Sequence, residues 1–198
     1  DPDPSKAHLL QPYMRELEQF AVPRAIFVNK IDTAYSNVNQ VLEALQPYSA
    51  ATLVARQIPI FKGEVPSGFI DLALERAYEY RSGNASRPVA IPSANAKEEA
   101  DARFHMLEQI ANYDDALLEA LLNDEAPARE SVMGDLAREM QDALIVPVFF
   151  GSATQTHGLR RLLKALRHEA PQPERAAERL GVKGACAYVF KSSHAGQA

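Results

Sequence analysis

Two short polar loops, each directly after an apolar run, carry residue types suited to reading a purine base. The first is the N-K-x-D tetrapeptide Asn29–Asp32, which follows the apolar run 25–28. A carboxylate such as that of Asp32 can accept hydrogen bonds from the ring N1–H and the 2-amino group of guanine, neither of which adenine offers. An unpaired buried carboxylate costs about 1–3 kcal/mol or more, so one Asp can discriminate strongly. In this hypothesis Asn29 ties the loop to neighbouring backbone, and the aliphatic stem of Lys30 lies over the purine face.

The second loop is Gly151-Ser152-Ala153, which follows the apolar run 146–150. A backbone N–H in such a turn can donate to the guanine O6, where adenine carries a donor. Ligands of open α/β sheets bind beyond the carboxyl ends of the strands, where both loops are expected. Either loop alone is equally well explained as a polar turn after a strand. Together they predict a guanine site formed by Asn29, Lys30, Asp32, Ser152 and Ala153.

The composition is that of an ordinary globular protein. The 198 residues are 46% hydrophobic and 24% charged, which suffices for one large domain or a domain with a small module. The net charge of −5 provides no overall basic field for nucleic acid. The single cysteine, Cys186, excludes an intramolecular disulfide and a cysteine-based zinc site, and it fits a reducing cytoplasm.

The chain has no segment suited to a membrane or to secretion. No apolar run approaches the ~20 residues that a transmembrane helix needs, so no membrane partner is expected. The opening residues Asp1-Pro2-Asp3-Pro4 include neither a Met nor a basic, apolar leader. We expect such a beginning for a piece of a longer protein.

Hydrophobic spacing and turn residues predict alternating strands and helices at both ends of the chain and a different texture between them. A helix with Pro12 at its kink or first turn precedes strand 24–28, and Ser36 or Asn37 caps the next helix. The remaining predictions are strands at 53–60, 69–72, 77–80, 88–92 and 144–150; turns at 62–63, 66–68 and 83–84; helices at 96–110, 117–122, 129–143 and 159–169; a linker at 174–184; and a strand at 185–191.

These residues resemble the translational GTPases, and elongation factor G in particular. Residues 23–32 resemble the family's guanine-recognition strand and loop, and 150–153 with Gly158-Leu159 resemble its second base-binding loop and following helix. Four other segments carry the rest of the resemblance. Residues 57–60, 68–72 and 114–119 are similar to parts of the inserted subdomain, and 188–191 is similar to the first strand of the β-barrel second domain.

The resemblance implies an α/β fold, the C-terminal half of a P-loop GTPase-type parallel sheet with an inserted α+β subdomain. It divides the chain into GTPase-domain parts at 1–56 and 141–173, the insertion at 57–140, and a linker with the start of the β-barrel at 174–198. For the intact protein it implies a cytoplasmic GTPase in translation that binds GTP or GDP with Mg²⁺. Its partners are the ribosome, through ribosomal RNA and the stalk protein, with the insertion as a contact surface; the piece itself is expected to be monomeric.

Three parts of the family pattern are absent from the 198 residues. These are the phosphate-binding loop G-x-x-x-x-G-K-S/T, the magnesium-binding threonine segment and the D-x-x-G segment with its histidine, all expected before Asp1. Phosphoryl transfer depends on positioned phosphates and Mg²⁺, so we expect this chain alone to be inactive, without catalytic residues or metal ligands. Thr33 stands where elongation factor G commonly has Arg, which indicates a divergent paralogue.

Other functions fit the same loops. A ribosomal protection factor or a release-factor-type GTPase would share both, and a ribosome-associated regulator could bind GTP without hydrolysing it. Asp114 and Asp115 are adjacent, so they face different directions on a helix and fit a cap better than a catalytic pair.

The remaining candidate side chains are interpreted as structural or solvated. We expect His105 to be a partly buried filler and His157 to be structural. Arg160, Lys164 and Arg167 share one helix face, which either contacts the ribosome or is solvated.

Overall fold

A three-stranded parallel sheet carries both predicted base-reading loops. The computed structural model describes residues 1–33, 37–81, 83–185 and 187. Strands β1 (Ile26–Val28), β2 (Thr52–Ala55) and β7 (Ile145–Phe150) form this sheet in the order β1-β7-β2. All of β7 is buried, as expected for a central parallel strand. The prediction that the two loop-bearing strands are parallel neighbours is confirmed.

A four-stranded antiparallel sheet follows β2. Its strands are β3 (Gln57–Lys62), β4 (Val65–Asp71), β5 (Arg76–Glu79) and β6 (Arg87–Val89), paired in sequence order. Two predictions were wrong here. The single strand expected at 53–60 is two strands in two different sheets, separated by Arg56. The turn expected at 66–68 lies inside β4, where a Cβ on Gly68 would come within 2.2 Å of the Tyr78 carbonyl oxygen.

The part of the chain that the structure describes contains seven α-helices. The Asn37 side chain accepts from Gln40 N at 2.8 Å and that of Asp114 from Leu117 N at 2.9 Å, so both predicted caps form. The helices are α1 (Gln11–Gln19), α2 (Val38–Leu45), α3 (Ala96–Ala111), α4 (Asp115–Leu122), α5 (Arg129–Gln141), α6 (Leu159–Glu169) and α7 (Pro173–Arg179). Three short 3-10 helices span Pro4–Leu10, Gln46–Tyr48 and Ser93–Asn95.

The C-terminal part differs from the expected linker. Helix α7 occupies much of 174–184, with Pro173 in its first turn, where a missing N–H costs nothing. Most of the strand expected at 185–191 lies outside the described residues.

One buried hydrophobic cluster runs through the parallel sheet and the helices of the predicted insertion. It contains Val28, Leu53 and Val148 from the sheet together with Ile110 from α3 and Leu136 from α5. Helix α3 packs against β2, and α5 packs against β7. The helices of 96–141 therefore share the core of the parallel sheet. The division of the chain near residues 56, 140 and 173 stays a prediction.

Side-chain burial corrects several expectations about helix faces. On α3, apolar spacing predicts Phe104 on the inner face, yet it is 54% exposed; His105, expected to be partly buried, is also exposed, whereas Met106 is buried. On α6, apolar spacing predicts a buried stripe of Leu159, Leu162, Leu163 and Leu166, yet Leu163 and Leu166 are 63% and 41% exposed. The inward face of α6 instead carries Arg161, Ala165 and Glu169. Apolar spacing predicted the wrong inward face of α6, because its buried Arg161 and Glu169 are paired with charged residues on other elements.

Those partners form a buried network of two arginines and two carboxylates. Arg56, which is fully buried, donates to both carboxylate oxygens of Glu169, and its Nη2–Oε1 distance is 3.2 Å. Arg161 Nε donates to Asp71, and Arg161 Nη1 lies 3.9 Å from Glu169 Oε1. Both guanidinium groups lie over the Phe149 ring, at 5.7 and 5.5 Å from its centroid. The network joins the end of β2, the end of β4 and α6.

Replacing Glu169 by Gln should destabilise the protein strongly, because the buried Arg56 guanidinium would lose its carboxylate while Arg161 kept only Asp71. We expect the free energy of unfolding to fall by about 3–5 kcal/mol. The matched control is Asp142→Asn, which removes a carboxylate that is 40% exposed and paired with Arg175; there we expect at most about 1 kcal/mol. Urea unfolding followed by circular dichroism measures both, and equal small losses would show that the network contributes little.

Another buried carboxyl group, that of Glu139 on α5, has no such close partner among the described residues. Neither of its oxygens has a hydrogen-bond partner in the described part of the chain, and Arg138 Nη2 lies 3.8 Å from Oε1. Burial, reinforced by the nearby Asp135 carboxylate, raises the pKa of Glu139 to about 8. Glu139 is therefore protonated at neutral pH.

Glu139 should make stability depend on pH. Its pKa rises from 4.5 to about 8 on folding, so the folded state binds the proton more tightly. As the pH rises from about 4.5 to about 8, the free energy of unfolding should therefore fall, by up to about 1.4 kcal/mol per pH unit. Glu139→Gln should flatten that slope and be more stable than the wild type at pH 8, whereas Glu130→Gln, at an exposed position on α5, should leave the slope unchanged. Unfolding curves at several pH values test this, and a slope that persists in Glu139→Gln would contradict it.

Candidate nucleotide-binding site

Backbone hydrogen bonds continue the β1–β7 pairing into the two loops. Gly151 N donates to Val28 O at 3.0 Å, and Ile31 N donates to Gly151 O at 3.2 Å. Gly151 must be small, because a Cβ there would lie 2.3 Å from the His157 carbonyl oxygen. The loops are thus held side by side at the carboxyl ends of their strands.

The Asn29 side chain links the two loops directly. Its Oδ1 accepts from Lys30 N and from Ala153 N, both at 2.8 Å. The tie to neighbouring backbone that the sequence predicts for Asn29 is therefore present. It also connects two residues 124 positions apart in the chain.

Lys30 occupies a tight turn between Asn29 and Asp32. Its φ of 65° lies in the left-handed region, and its carbonyl oxygen accepts from both Thr33 N and Thr33 Oγ1 at 3.0 Å. The Lys30 side chain is 58% exposed, with Nζ 3.7 Å from Asp1 Oδ2. Its predicted packing over a purine stays a prediction.

One carboxylate oxygen of Asp32 receives no hydrogen bond from the described residues. The residue is partly buried, and its Oδ1 is buried without a hydrogen-bond partner among the residues that the structure describes. Leaving such an atom unpaired costs about 1–3 kcal/mol, more when it is charged. A ligand that brings N–H donors to this point would recover that free energy.

Ser152 is placed to hold the second loop in shape. It is fully buried, and its backbone pairs with that of His157 through Ser152 N to His157 O at 3.1 Å and the reverse bond at 2.9 Å. Its Oγ lies 3.1 Å from Thr154 Oγ1. Ala153, in contrast, is exposed and offers only backbone.

Three residues around this loop were not singled out as site residues by sequence reasoning. The His157 ring stacks on Tyr80, with centroids 4.1 Å apart and an interplanar angle of 2°. Burial lowers the pKa of His157, and the Asp32 carboxylate opposes that shift. Gln57, fully buried, donates from Nε2 to Phe150 O at 2.6 Å, at the end of β7. Tyr80 and Gln57 lie far from the loop in sequence, so no local pattern marks them.

The described residues contain no group of three or more His, Cys, Asp or Glu side chains that could hold a metal ion. In the same residues, no helix combines the length and the apolar character needed to cross a membrane.

Comparison with known proteins identifies the family. No protein-family model matches the chain. It is 42% identical over 177 residues to "Elongation factor G-like protein" of Synechocystis sp., covering 89% of this chain and 26% of that protein. It is 31% identical over 164 residues to "Elongation factor G" of Rhodopirellula baltica, covering 80% of this chain and 23% of that protein. The chain belongs to the elongation factor G-like family. It spans about a quarter of the length of these relatives, whose covered shares are 26% and 23%.

A solved structure is similar to this chain over most of its length. The crystal structure of ttk003000868 from Thermus thermophilus matches 83% of this chain and 24% of that chain, with a TM-score of 0.70 and 26% identity. The predicted fold class, α/β with a parallel sheet of the P-loop GTPase type and an inserted α+β part, is confirmed over the described residues by one parallel and one antiparallel sheet.

Asn29→Ala should loosen the contact between the two loops. The Ala153 amide would lose its acceptor, so its hydrogen exchange should become about tenfold faster and the free energy of unfolding should fall by about 1 kcal/mol. Asn39→Ala, at an exposed position on α2, serves as the control. Hydrogen exchange read by NMR tests this, and an unchanged Ala153 rate would show that the Asn29 bond does not hold the loop.

Proposed function

We propose that this chain recognises the guanine base of GTP or GDP within an elongation factor G-like GTPase that acts in ribosomal translation. The observation that carries the proposal is the buried Oδ1 of Asp32, which has no hydrogen-bond partner among the described residues and lies in the loop that Asn29 ties to Ala153. The names of the two relatives favour elongation factor G over a release-factor-type protein.

Asp32 is the main source of base selectivity in this proposal. Guanine presents N1–H and the 2-amino group on one edge, and together they match the two oxygens of a carboxylate. Adenine brings no donor to the same place, so the Asp32 charge would stay buried and unpaired. The loop-to-loop ties at Gly151 and Asn29 fix the position of this carboxylate before a base arrives.

The second loop contributes less to selectivity. Ala153 N already donates to Asn29 Oδ1 at 2.8 Å. A guanine O6 that accepts from the same N–H would therefore compete with Asn29 for it. Ser152 supports the loop from inside through its bonds to His157. Lys30 covers one face of the base with its stem.

GTP hydrolysis is proposed for the intact protein only. The phosphates and Mg²⁺ would be held by residues outside these 198, because this sequence lacks a G-x-x-x-x-G-K-S/T loop. The chain's own contribution is base recognition, and by itself it is expected to be inactive and monomeric.

The segment 57–140 is proposed as a contact surface for the ribosome, in the cytoplasm. Helix α4 supports this, since Leu118 and Leu122 lie one turn apart and are 43% and 77% exposed. Nearby Tyr113 is 41% exposed. An exposed apolar row of this kind is typical of a protein-binding surface, here for the stalk protein.

Asp32→Asn in the full-length protein should change base preference. The new amide donor opposes the 2-amino group of guanine but suits the 2-oxo group of xanthine. We expect GTP binding to weaken by about 1–3 kcal/mol, roughly ten- to a hundredfold, while XTP gains and ATP stays weak. Competitive binding of the three nucleotides measures this.

The control for that experiment is Asp124→Asn, which makes the same change at an exposed position after α4 and should leave all three affinities unchanged. If Asp32→Asn kept the full preference for GTP over XTP, Asp32 would not be the guanine reader.

A further inference from the structure

A cavity of about 570 Å³ opens between the antiparallel sheet and the start of α6. It lies beside the second base-reading loop but does not include Asp32 or Ala153. Its lining combines aromatic and basic side chains. The aromatic ones are Phe69, Tyr78, Tyr80 and His157, and the basic ones are Arg81, Arg160, Arg161 and Lys164. A volume of this size is ordinary for a small-molecule site.

The exposed charged side chains that line the cavity are all basic. Arg81, Arg160 and Lys164 are exposed, and no Asp or Glu is among the described residues that line the cavity. The first turn of α6 also contains no acidic residue, so the positive end of its helix dipole is not offset there. Low-dielectric walls strengthen such a field, which favours an anion.

Arg161 supplies a buried donor on the cavity wall. Its side chain is only 7% exposed. Nε is engaged by Asp71 and Nη1 lies near Glu169, but Nη2 has no hydrogen-bond partner in the described part of the chain. A guanidinium presents its N–H groups in a planar fork, so an acceptor placed at Nη2 would complete it.

Tyr80 adds a second buried polar group. Its hydroxyl also lacks a hydrogen-bond partner among the described residues. Burial raises the pKa of Tyr80, so the hydroxyl remains protonated and can donate. The ring is fixed by stacking on His157, with centroids 4.1 Å apart, which limits where the hydroxyl can point.

We propose that this cavity binds a phosphate-bearing ligand, with phosphate oxygens accepting from Arg161 Nη2 and Tyr80 OH and with Arg160 and Lys164 closing over the charge. A phosphate offers several acceptor oxygens and matches a cationic fork. This site is separate from guanine recognition and does not depend on it. The same chemistry is offered by a small phosphate ester and by the backbone of single-stranded RNA.

The test uses probes that contain no guanine. Pyrophosphate and a short oligouridylate are titrated separately into the 198-residue chain, and backbone amide shifts are followed by NMR. We expect saturable shifts at Tyr80, Arg81 and 156–164. The double variant Arg160→Gln/Lys164→Gln should weaken binding about tenfold, and Tyr80→Phe should also weaken it. Arg167→Gln removes a charge from the same helix outside the cavity, so binding should change less than about twofold.

Each result decides the proposal. Saturable shifts at the cavity, lost in the double variant and kept in Arg167→Gln, support it. Pyrophosphate binding then identifies a small phosphate ester, and binding of oligouridylate alone identifies an RNA backbone. An absence of shifts at the cavity with both probes overturns it, as does equal weakening in the double variant and Arg167→Gln, which would indicate diffuse attraction by surface charge. Asp32→Asn should leave pyrophosphate binding intact, so failure of the guanine proposal is distinguishable from failure of this one.

Discussion

Arg56 is the residue on which the arrangement of the two sheets depends. Its backbone N donates to Val148 O in the parallel sheet at 3.0 Å, and its carbonyl oxygen accepts from Leu72 N, just after β4, at 3.1 Å. Its guanidinium is fully buried and paired with Glu169. An unpaired charge in that position would cost several kcal/mol, so the chain can change sheets at residue 56 only if α6 delivers its carboxylate.

The residues next to that junction position the second loop of the proposed base site. Gln57, the next residue, donates to Phe150 O at 2.6 Å and so fixes the end of β7 where the second loop begins. Gly158, with φ 78°, then turns the chain so closely past Phe150 O that a Cβ would lie 2.5 Å from it, and α6 starts at once. The junction at Arg56, the second loop and α6 are therefore linked by direct contacts. A perturbation of the buried ion pairs should reach the loop that contacts Asn29.

Some of the buried polar atoms that lack a hydrogen-bond partner among the described residues belong to residues at the two proposed binding sites. Asp32 Oδ1 stands beside the linked loops, and Arg161 Nη2 and Tyr80 OH stand in residues that line the adjacent cavity. Folded proteins seldom leave buried donors and acceptors unpaired, so such groups beside an opening indicate binding. Glu139 contrasts with them, because its burial is relieved by protonation, its pKa being raised to about 8.

The sequence by itself determined what depends on local signals and strand order. The apolar strands 26–28 and 145–150, the loops after them, and the caps at Asn37 and Asp114 follow from hydrophobic runs and short-range hydrogen bonding. The tertiary structure alone decided the break at Arg56, the place of Gly68 inside β4 and the inward charged face of α6. Each of these depends on partners distant in the chain: Arg56 needs Glu169, Gly68 needs the close backbone of Tyr78, and Arg161 needs Asp71. Hydrophobic periodicity cannot register such partners, because the free energy of burying a charge depends on what the fold brings beside it.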